Sequence, residues 1–373
     1  MKRILTITAI MLLFVLASCT TSEQPTTYNL NTYTEQELID LIETLLPKSY
    51  QRVDYDLKTF QEAIITMSEQ NRDAVIGIQV YEQPFSSPKT GSGVIYKKDL
   101  GTYYVVTNHH VIEAAQNIEV VYERQGLLFT IPQSDIRIIG SDATTDLAVI
   151  TFQSTRNFNT AVFADSYETR IGQIVFAMGN PLGFNYYGTL TMGVISGLSR
   201  YVSSSDLEVP FIQHDASISP GNSGGALFDI NGHLIGINNM KIINDLASNI
   251  GFAIPSNTVY RIIQDLETYG TVRRPYLGVS AMLQVSDCNQ EFGVCIHVQS
   301  GGAAEEALLN NRDIIIGYKI DSWPVYIDIN NFNDLREAIL NSQVGDRVSL
   351  RFIRDETVYE SPYAILKLHP SDQ

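Results

Sequence analysis

Between residues 74 and 255 the chain consists of short runs of Val, Ile, Tyr and Thr, each broken within a few residues by Gly, Asn, Asp or Ser. Runs at 75–81, 93–96, 103–107, 118–122, 146–152, 174–177, 193–195 and 234–238 have the length of strands, and their turn spacing predicts an all-β barrel or sandwich. Hydrophobic residues make up 44% of the 373 positions, enough for a large core. The 25 Gly are scattered without a period, and only 18% of residues are charged. Collagen, a coiled-coil rod and a wholly disordered chain are thereby excluded. The net charge of −16, with no long Lys/Arg run, also argues against nucleic acid as a partner.

The first residues are read as an address. Lys2 and Arg3 precede an apolar run over 4–17, which is too short to span a bilayer comfortably and fits a secretory signal. At its end, Leu16-Ala17-Ser18-Cys19 resembles the bacterial lipobox, in which the chain is cut before the Cys and the Cys is lipidated. The alternative is an ordinary signal peptide with a chance Cys. Residues 1–18 are thus expected to be removed, leaving Cys19 as a lipid anchor and an extracytoplasmic lipoprotein at a bacterial cell membrane. Residues 20–33, rich in Thr, Ser, Gln, Asn and Pro, read as a tether. Thr34-Glu35-Gln36-Glu37 fits a capping box before Leu38, Leu41, Ile42 and Leu45, and Leu57, Phe60, Ile64 and Met67 mark a second helix. Tether and helices together occupy 19–71.

A domain over 72–270 follows, closed by a helix that Ser256 is expected to cap and Gly270 to end. Residues 275–368 mix strands (293–298, 347–354, 363–368) with helices (303–309, 332–341) and predict a small separate α+β or β-barrel domain. Cys288 and Cys295 lie in it. An extracytoplasmic address permits a disulfide, but two unpaired thiols on neighbouring strands fit the spacing equally. Two Cys without a nearby His pair do not make a metal site.

The chemistry concentrates in the middle domain. In Pro220-Gly221-Asn222-Ser223-Gly224-Gly225-Ala226-Leu227 a serine stands among small residues, so its hydroxyl is accessible and the backbone can turn sharply. Successive N–H groups of such a turn can converge on one spot, as an oxyanion requires. The nucleophile elbow of α/β-hydrolases shares the Gly-x-Ser-x-Gly pattern, but it must enter a helix. Here Asn231-Gly232 follows instead and signals a hairpin. A serine nucleophile needs a base and an orienting group. The adjacent His109 and His110 follow one apolar run, and Asp146 opens another. Taken singly, these could be a surface loop and a turn residue. Together, in the order His, Asp, Ser on an all-β domain, they follow the chymotrypsin-type order.

Val106-Thr107-Asn108-His109-His110-Val111, Thr145-Asp146-Leu147-Ala148-Val149 and Gly221-Asn222-Ser223-Gly224-Gly225 resemble the three catalytic motifs of the HtrA/Deg serine proteases. Further matches are Ala177-Met178-Gly179-Asn180-Pro181-Leu182-Gly183, Gln213-His214-Asp215-Ala216 and Ile250-Gly251-Phe252-Ala253-Ile254-Pro255. The resemblance runs from about residue 74 to the C-terminus. It implies a mainly β chain: a chymotrypsin-like double β-barrel followed by a small PDZ-like α+β domain. It implies His110 as base, Asp146 as its orienting group, Ser223 as nucleophile and the N–H groups of Gly221 and Ser223 as oxyanion hole, with no cofactor and no metal. His109 stands where the family usually has Asn, Ser219 where it has Asn, and Ala226 where it has Pro.

Ser217 falls where trypsin-like enzymes carry an acid at the pocket base, so aliphatic residues before the cut bond are expected, with Ile218, Ile237 and Met240 as walls. Tyr276-Leu277-Gly278-Val279 resembles the carboxylate-binding loop of PDZ domains, although Arg312-Asp313 replaces a usual Gly-Asp. A packing domain without a ligand is the alternative. Arg200, matching a family Arg that passes an activating signal to the oxyanion loop, is the expected regulatory residue; a solvated surface Arg is the alternative. Expected partners are unfolded or misfolded proteins, peptide C-termini and the membrane through its lipid, in a homotrimer. An inactive protease-fold scaffold is the competing reading of the whole chain.

Overall fold

In the computed structural model, the structure describes Thr34 and residues 57–83, 87–202, 209–239, 250–282, 288 and 292–372. Two compact units divide the chain at residue 60. The lipobox with Cys19, the tether, the capping box at Thr34 and Met240 fall outside the described residues, save Thr34 itself. Helix α1 (Leu57–Asn71) follows the predicted apolar spacing and buries Met67 and Asn71. No helix among the described residues is long and apolar enough to cross a membrane.

The larger unit contains the strand-rich region. Strands β1 (Val75–Tyr81), β2 (Lys89–Asp99), β3 (Thr102–Thr107), β4 (Asn117–Arg124), β5 (Leu127–Ile131), β6 (Ile136–Asp142) and β7 (Leu147–Gln153) form one antiparallel sheet in the order β5-β4-β1-β2-β3-β7-β6. Between β3 and β4, a single helical turn, α2 (His109–Ile112), carries both histidines. A second sheet holds β8 (Val162–Phe163), β9 (Ile174–Gly179), β10 (Thr189–Arg200), β11 (Phe211–His214), β12 (Ala226–Asp229), β13 (His233–Asn239) and β14 (Gly251–Pro255). Its order is β12-β9-β10-β11-β14-β13-β8, and pairing of β12 with β13 closes six strands into a barrel. The expected double barrel is therefore present. Residues after Ser223 enter a strand, and β12 and β13 form the hairpin that Asn231-Gly232 signalled.

The central strands β1, β7, β9 and β12 are buried on both faces, because their inner face fills a barrel and their outer face packs on a neighbour. On β1, Ile76, Ile78 and Val80 fill the first barrel, whereas Val75 joins a core lined by Phe176, Phe228 and Ile254. Helix α3 (Ser256–Tyr269) lays Val259, Ile262, Ile263 and Leu266 on that shared core. Gly270 ends it in the left-handed conformation (φ 74°), donating its N–H to Leu266 O at 3.0 Å. Ser256 does not cap it. Ser256 is the first helical residue, and its hydroxyl instead donates to Ala164 O at 2.8 Å, tying α3 to the second barrel.

The last hundred residues carry a separate core around Leu277, Ile296, Tyr318, Leu335 and Leu350. Here β15 (Pro275–Tyr276) pairs with the terminal strand Lys367–Leu368. Strand β16 (Val279–Ala281) lies at the edge of the remaining sheet, beside β17 (Val294–Val298). The predicted helix at 303–309 is only Ala303–Glu306, α4, and that at 332–341 is α5 (Phe332–Leu340). Asn331 caps α5 in a capping box with Asp334. Cys288 and Cys295 are joined as a disulfide with Cα atoms 6.2 Å apart, so of the two possibilities the pairing is the one adopted.

Candidate active site

Asp146 sits at the mouth of β7 with φ 55°, a left-handed conformation that turns its side chain back into the protein, where it is fully buried. Asp142 supports this turn by accepting the Thr145 N–H at 2.8 Å. In turn Asp142 is held by Arg274, whose guanidinium also binds Asp372 at 2.9 Å. The Asp146 backbone carbonyl is gripped from α2, by Asn108 Nδ2 at 2.9 Å and by the His109 N–H at 3.1 Å. Its carboxylate accepts three hydrogen bonds: the His110 N–H at 2.9 Å, His110 Nδ1 at 2.6 Å and Asn239 Nδ2 at 2.7 Å.

The adjacent histidines thus part ways. His110 directs Nδ1 at Asp146, which favours the tautomer with the proton on Nδ1 and leaves Nε2 as the basic nitrogen. His109 instead places Nε2 at 3.9 Å from Glu113, and its Nδ1 is buried without a hydrogen-bond partner among the described residues. Asn239, fully buried at the end of β13, was not singled out by sequence. Its contact with Asp146 joins the second barrel to the first, and no local motif announces it.

Backbone bonds draw the serine turn tight. Asn222 N donates to Ser219 O (2.9 Å), Gly225 N to Asn222 O (2.9 Å), Gly224 N to Asn238 O (3.0 Å) and Asn238 N to Gly225 O (2.8 Å). Gly221 (φ 102°) and Gly224 (φ 80°) are required: a Cβ on either would fall within 2.3 Å of the Asn180 or Ser92 carbonyl oxygen, respectively. Pro220 O is tied to Leu182 N at 2.7 Å, so across the planar peptide the Gly221 N–H points the other way. Among the described residues that N–H has no hydrogen-bond partner.

Ser92, on β2, organises the turn from the opposite barrel. Its hydroxyl donates to Gly221 O (2.7 Å) and accepts from Asn180 N (3.0 Å), and its N–H donates to Ser223 O (2.8 Å). Thr107, two residues before His109, donates to Ser92 O at 2.7 Å. Gly91-Ser92-Gly93 is the small-residue signal that could have revealed it.

For the expected pocket, Ser217 is exposed and its carbonyl accepts from Thr191 Oγ1 at 2.8 Å. Ile218 is half-buried against Ala216 and the core of the second barrel. Ile237 corrects the expectation: its side chain is fully enclosed in the core shared with Phe176 and α3, because the alternation of β13 turns it inward. Arg200 ends β10 exposed, its guanidinium over Gly197. Its neighbours touch α5, Ser199 Oγ donating to Glu337 Oε2 at 3.1 Å and the Arg336 guanidinium lying 4.9 Å from the Tyr201 ring centre.

In the C-terminal sheet, Leu277 O accepts Ala304 N (2.7 Å) and Gly278 O accepts Gln299 N (2.8 Å). The Gly278 and Val279 N–H groups therefore face away from those partners, and β16 offers an open edge. Gly278 (φ 79°) is forced by the Gly302 backbone, whose Cα would lie 2.5 Å from a Cβ. Tyr276 bonds to Gln299 and packs edge-on against His369, and Leu277 is buried.

Residues 91–237 match the family described as "Trypsin-like peptidase domain". "Serine protease Do-like HtrA" of Lactococcus lactis subsp. cremoris is 37% identical over 287 residues, covering 71% of this chain and 68% of that protein. The chain belongs to the HtrA family of serine proteases. The HtrA relative of Bacillus subtilis is 38% identical over 286 residues, 71% of this chain; the match spans only 61% of that protein's length. Among solved structures, "HtrA-type protease AlgW with tripeptide" superposes with a TM-score of 0.63 at 28% identity, covering 83% of this chain and 97% of that one. This HtrA-family chain thus has the double barrel and the PDZ-like domain expected from its resemblance.

Proposed function

We propose that this chain is a lipid-anchored, extracytoplasmic serine endopeptidase that cleaves unfolded or misfolded proteins. One observation carries the reading: the 2.6 Å contact of His110 Nδ1 with a fully buried Asp146, one barrel away from a serine turn held open by two glycines. Ser223 Oγ attacks the peptide carbonyl as His110 Nε2 takes its proton, and His110 then delivers that proton to the leaving amine. Water hydrolyses the acyl-enzyme by the same route in reverse roles. The Gly221 and Ser223 N–H groups receive the oxyanion, and loss of one such donor generally costs about 100- to 1000-fold in rate. With Ser217 in place of an acid and Ile218 alongside, the pocket takes aliphatic side chains. The chain forms a homotrimer in this reading. A peptide C-terminus adds to the open edge of β16, its carboxylate on the N–H groups near Gly278, and Arg200 relays its arrival to the serine turn.

A fluorophosphonate probe tests the central step. Covalent labelling of Ser223 in the full chain, lost in His110→Ala, is the expected result. An unlabelled wild-type protein would favour the inactive scaffold.

The anchor is tested separately. Cys19→Ala is expected to move the protein from the detergent phase to the soluble extracytoplasmic fraction or leave it unprocessed. One acyl chain binds a membrane only marginally, so durable anchoring takes two. Unchanged partitioning would remove the lipid from the reading.

A further inference from the structure

His214 ends β11, the strand that leads into the Ser223 turn, and takes no part in the chemistry above. It is fully buried, and among the described residues neither ring nitrogen makes a hydrogen bond of good geometry, although the Asn238 side chain and the Ala216 backbone lie close enough to favour a proton. A neutral imidazole so poorly paired is costly to bury, and a protonated one far more so. The fold nevertheless makes room for it. Gly251, its partner on β14, would bring a Cβ within 2.4 Å of the imidazole Cε1, so the ring occupies the space a side chain would need.

The surroundings offer a proton little compensation. From β10 the ring meets its partner Ile195, and from β14 Gly251, neither of which titrates. From β13 it meets Asn238, whose side-chain oxygen lies buried beside the ring and partly favours a proton there, without a well-formed hydrogen bond among the described residues. Among the described residues, the one charged group whose field favours the proton is Asp215, next on the same strand, and its carboxylate already accepts the Val194 N–H at 2.6 Å. Burial outweighs Asn238, Asp215 and the Ala216 backbone together and pushes the imidazole down to about 4.

Position turns this titration into a device. Asn238, beside the ring, receives the Gly224 N–H and donates to Gly225 O, the two residues after Ser223. We infer that His214 is an acid-sensing latch of the serine segment: protonation drives the ring toward water, and β11 opens together with the residues up to Ser223. The folded, closed state holds fewer protons than the open state between pH ~6.5 and ~4. The closed state is therefore fully favoured above that window and loses ground as pH falls through it.

The test uses the full chain as Ser223→Ala, to prevent self-cleavage, with hydrogen exchange corrected for intrinsic rates. Between pH 7 and pH 5, protection of amides at 211–223 and 251–255 is expected to fall about twentyfold, as linkage from a pKa near 4 dictates, while the first barrel keeps its protection. His214→Thr and His214→Leu are expected to hold the change in the same segments within about twofold. Unchanged wild-type protection at 211–223 would overturn the inference. So would a fall centred on 107–112, which would assign the response to His109 or His110, or an equal fall in the variants.

Discussion

Replacing Ser223 by Ala is expected to reduce hydrolysis of unfolded casein by on the order of a million-fold, the loss seen when a serine nucleophile of this type is removed. The fold should be indifferent. The turn is held by backbone groups, including Ser92 N on Ser223 O and Gly224 N on Asn238 O, and these survive the substitution. The thermal midpoint is therefore expected to stay near the wild-type value, a change of about 1 kcal/mol, the size of one lost hydrogen bond. Casein hydrolysis and a thermal melt on the same preparation check both halves. Residual activity above a few per cent would exclude Ser223 as nucleophile.

Asp146→Asn is expected to lower kcat about 10⁴-fold, with a smaller change in KM. The carboxylate accepts from His110 Nδ1, from the His110 N–H and from Asn239 Nδ2. An amide in its place brings its own NH₂ group to a site built entirely of donors. Whichever way it turns, a donor meets His110 Nδ1 or a donor of the surroundings. A pair at Nδ1 would fix the proton on Nε2, the nitrogen needed as base. Unlike Ser223→Ala, this variant should also melt earlier, because a fully buried polar contact is broken. Steady-state kinetics on a peptide substrate decide the matter, and a loss below tenfold would remove Asp146 from the mechanism.

The two substitutions differ because the site is divided between elements. Ser223 hangs on a turn whose geometry the backbone maintains, so trimming its side chain leaves those backbone bonds in place. Asp146 is a junction: its carbonyl and carboxylate receive bonds from Asn108, His109, His110 and Asn239.

The sequence alone determined what depends on local chemistry. Alternation and turn residues marked the strands, since a side-chain period of two is a property of the backbone. Gly270 marked the end of α3, and Gly221 and Gly224 marked a serine turn that only glycine permits, because positive φ and close backbone approach are local demands. Tertiary structure decided the rest. Which of His109 and His110 meets Asp146 depends on how α2 is rotated against β7, and adjacent residues carry no mark of it. Ser92 and Asn239 act across the barrel interface, 131 and 93 positions from Ser223 and Asp146 respectively, where no spacing rule reaches. Ile237 read as a pocket wall but belongs to the core, because both faces of a barrel strand are apolar and hydrophobicity cannot tell them apart. His214 read as one residue of a family motif, and only its burial against Gly251, with its nitrogens poorly paired among the described residues, shows the energetic weight it carries. Contacts between residues far apart in the chain are set by the closing of sheets into barrels, and that closure is a property of the whole fold.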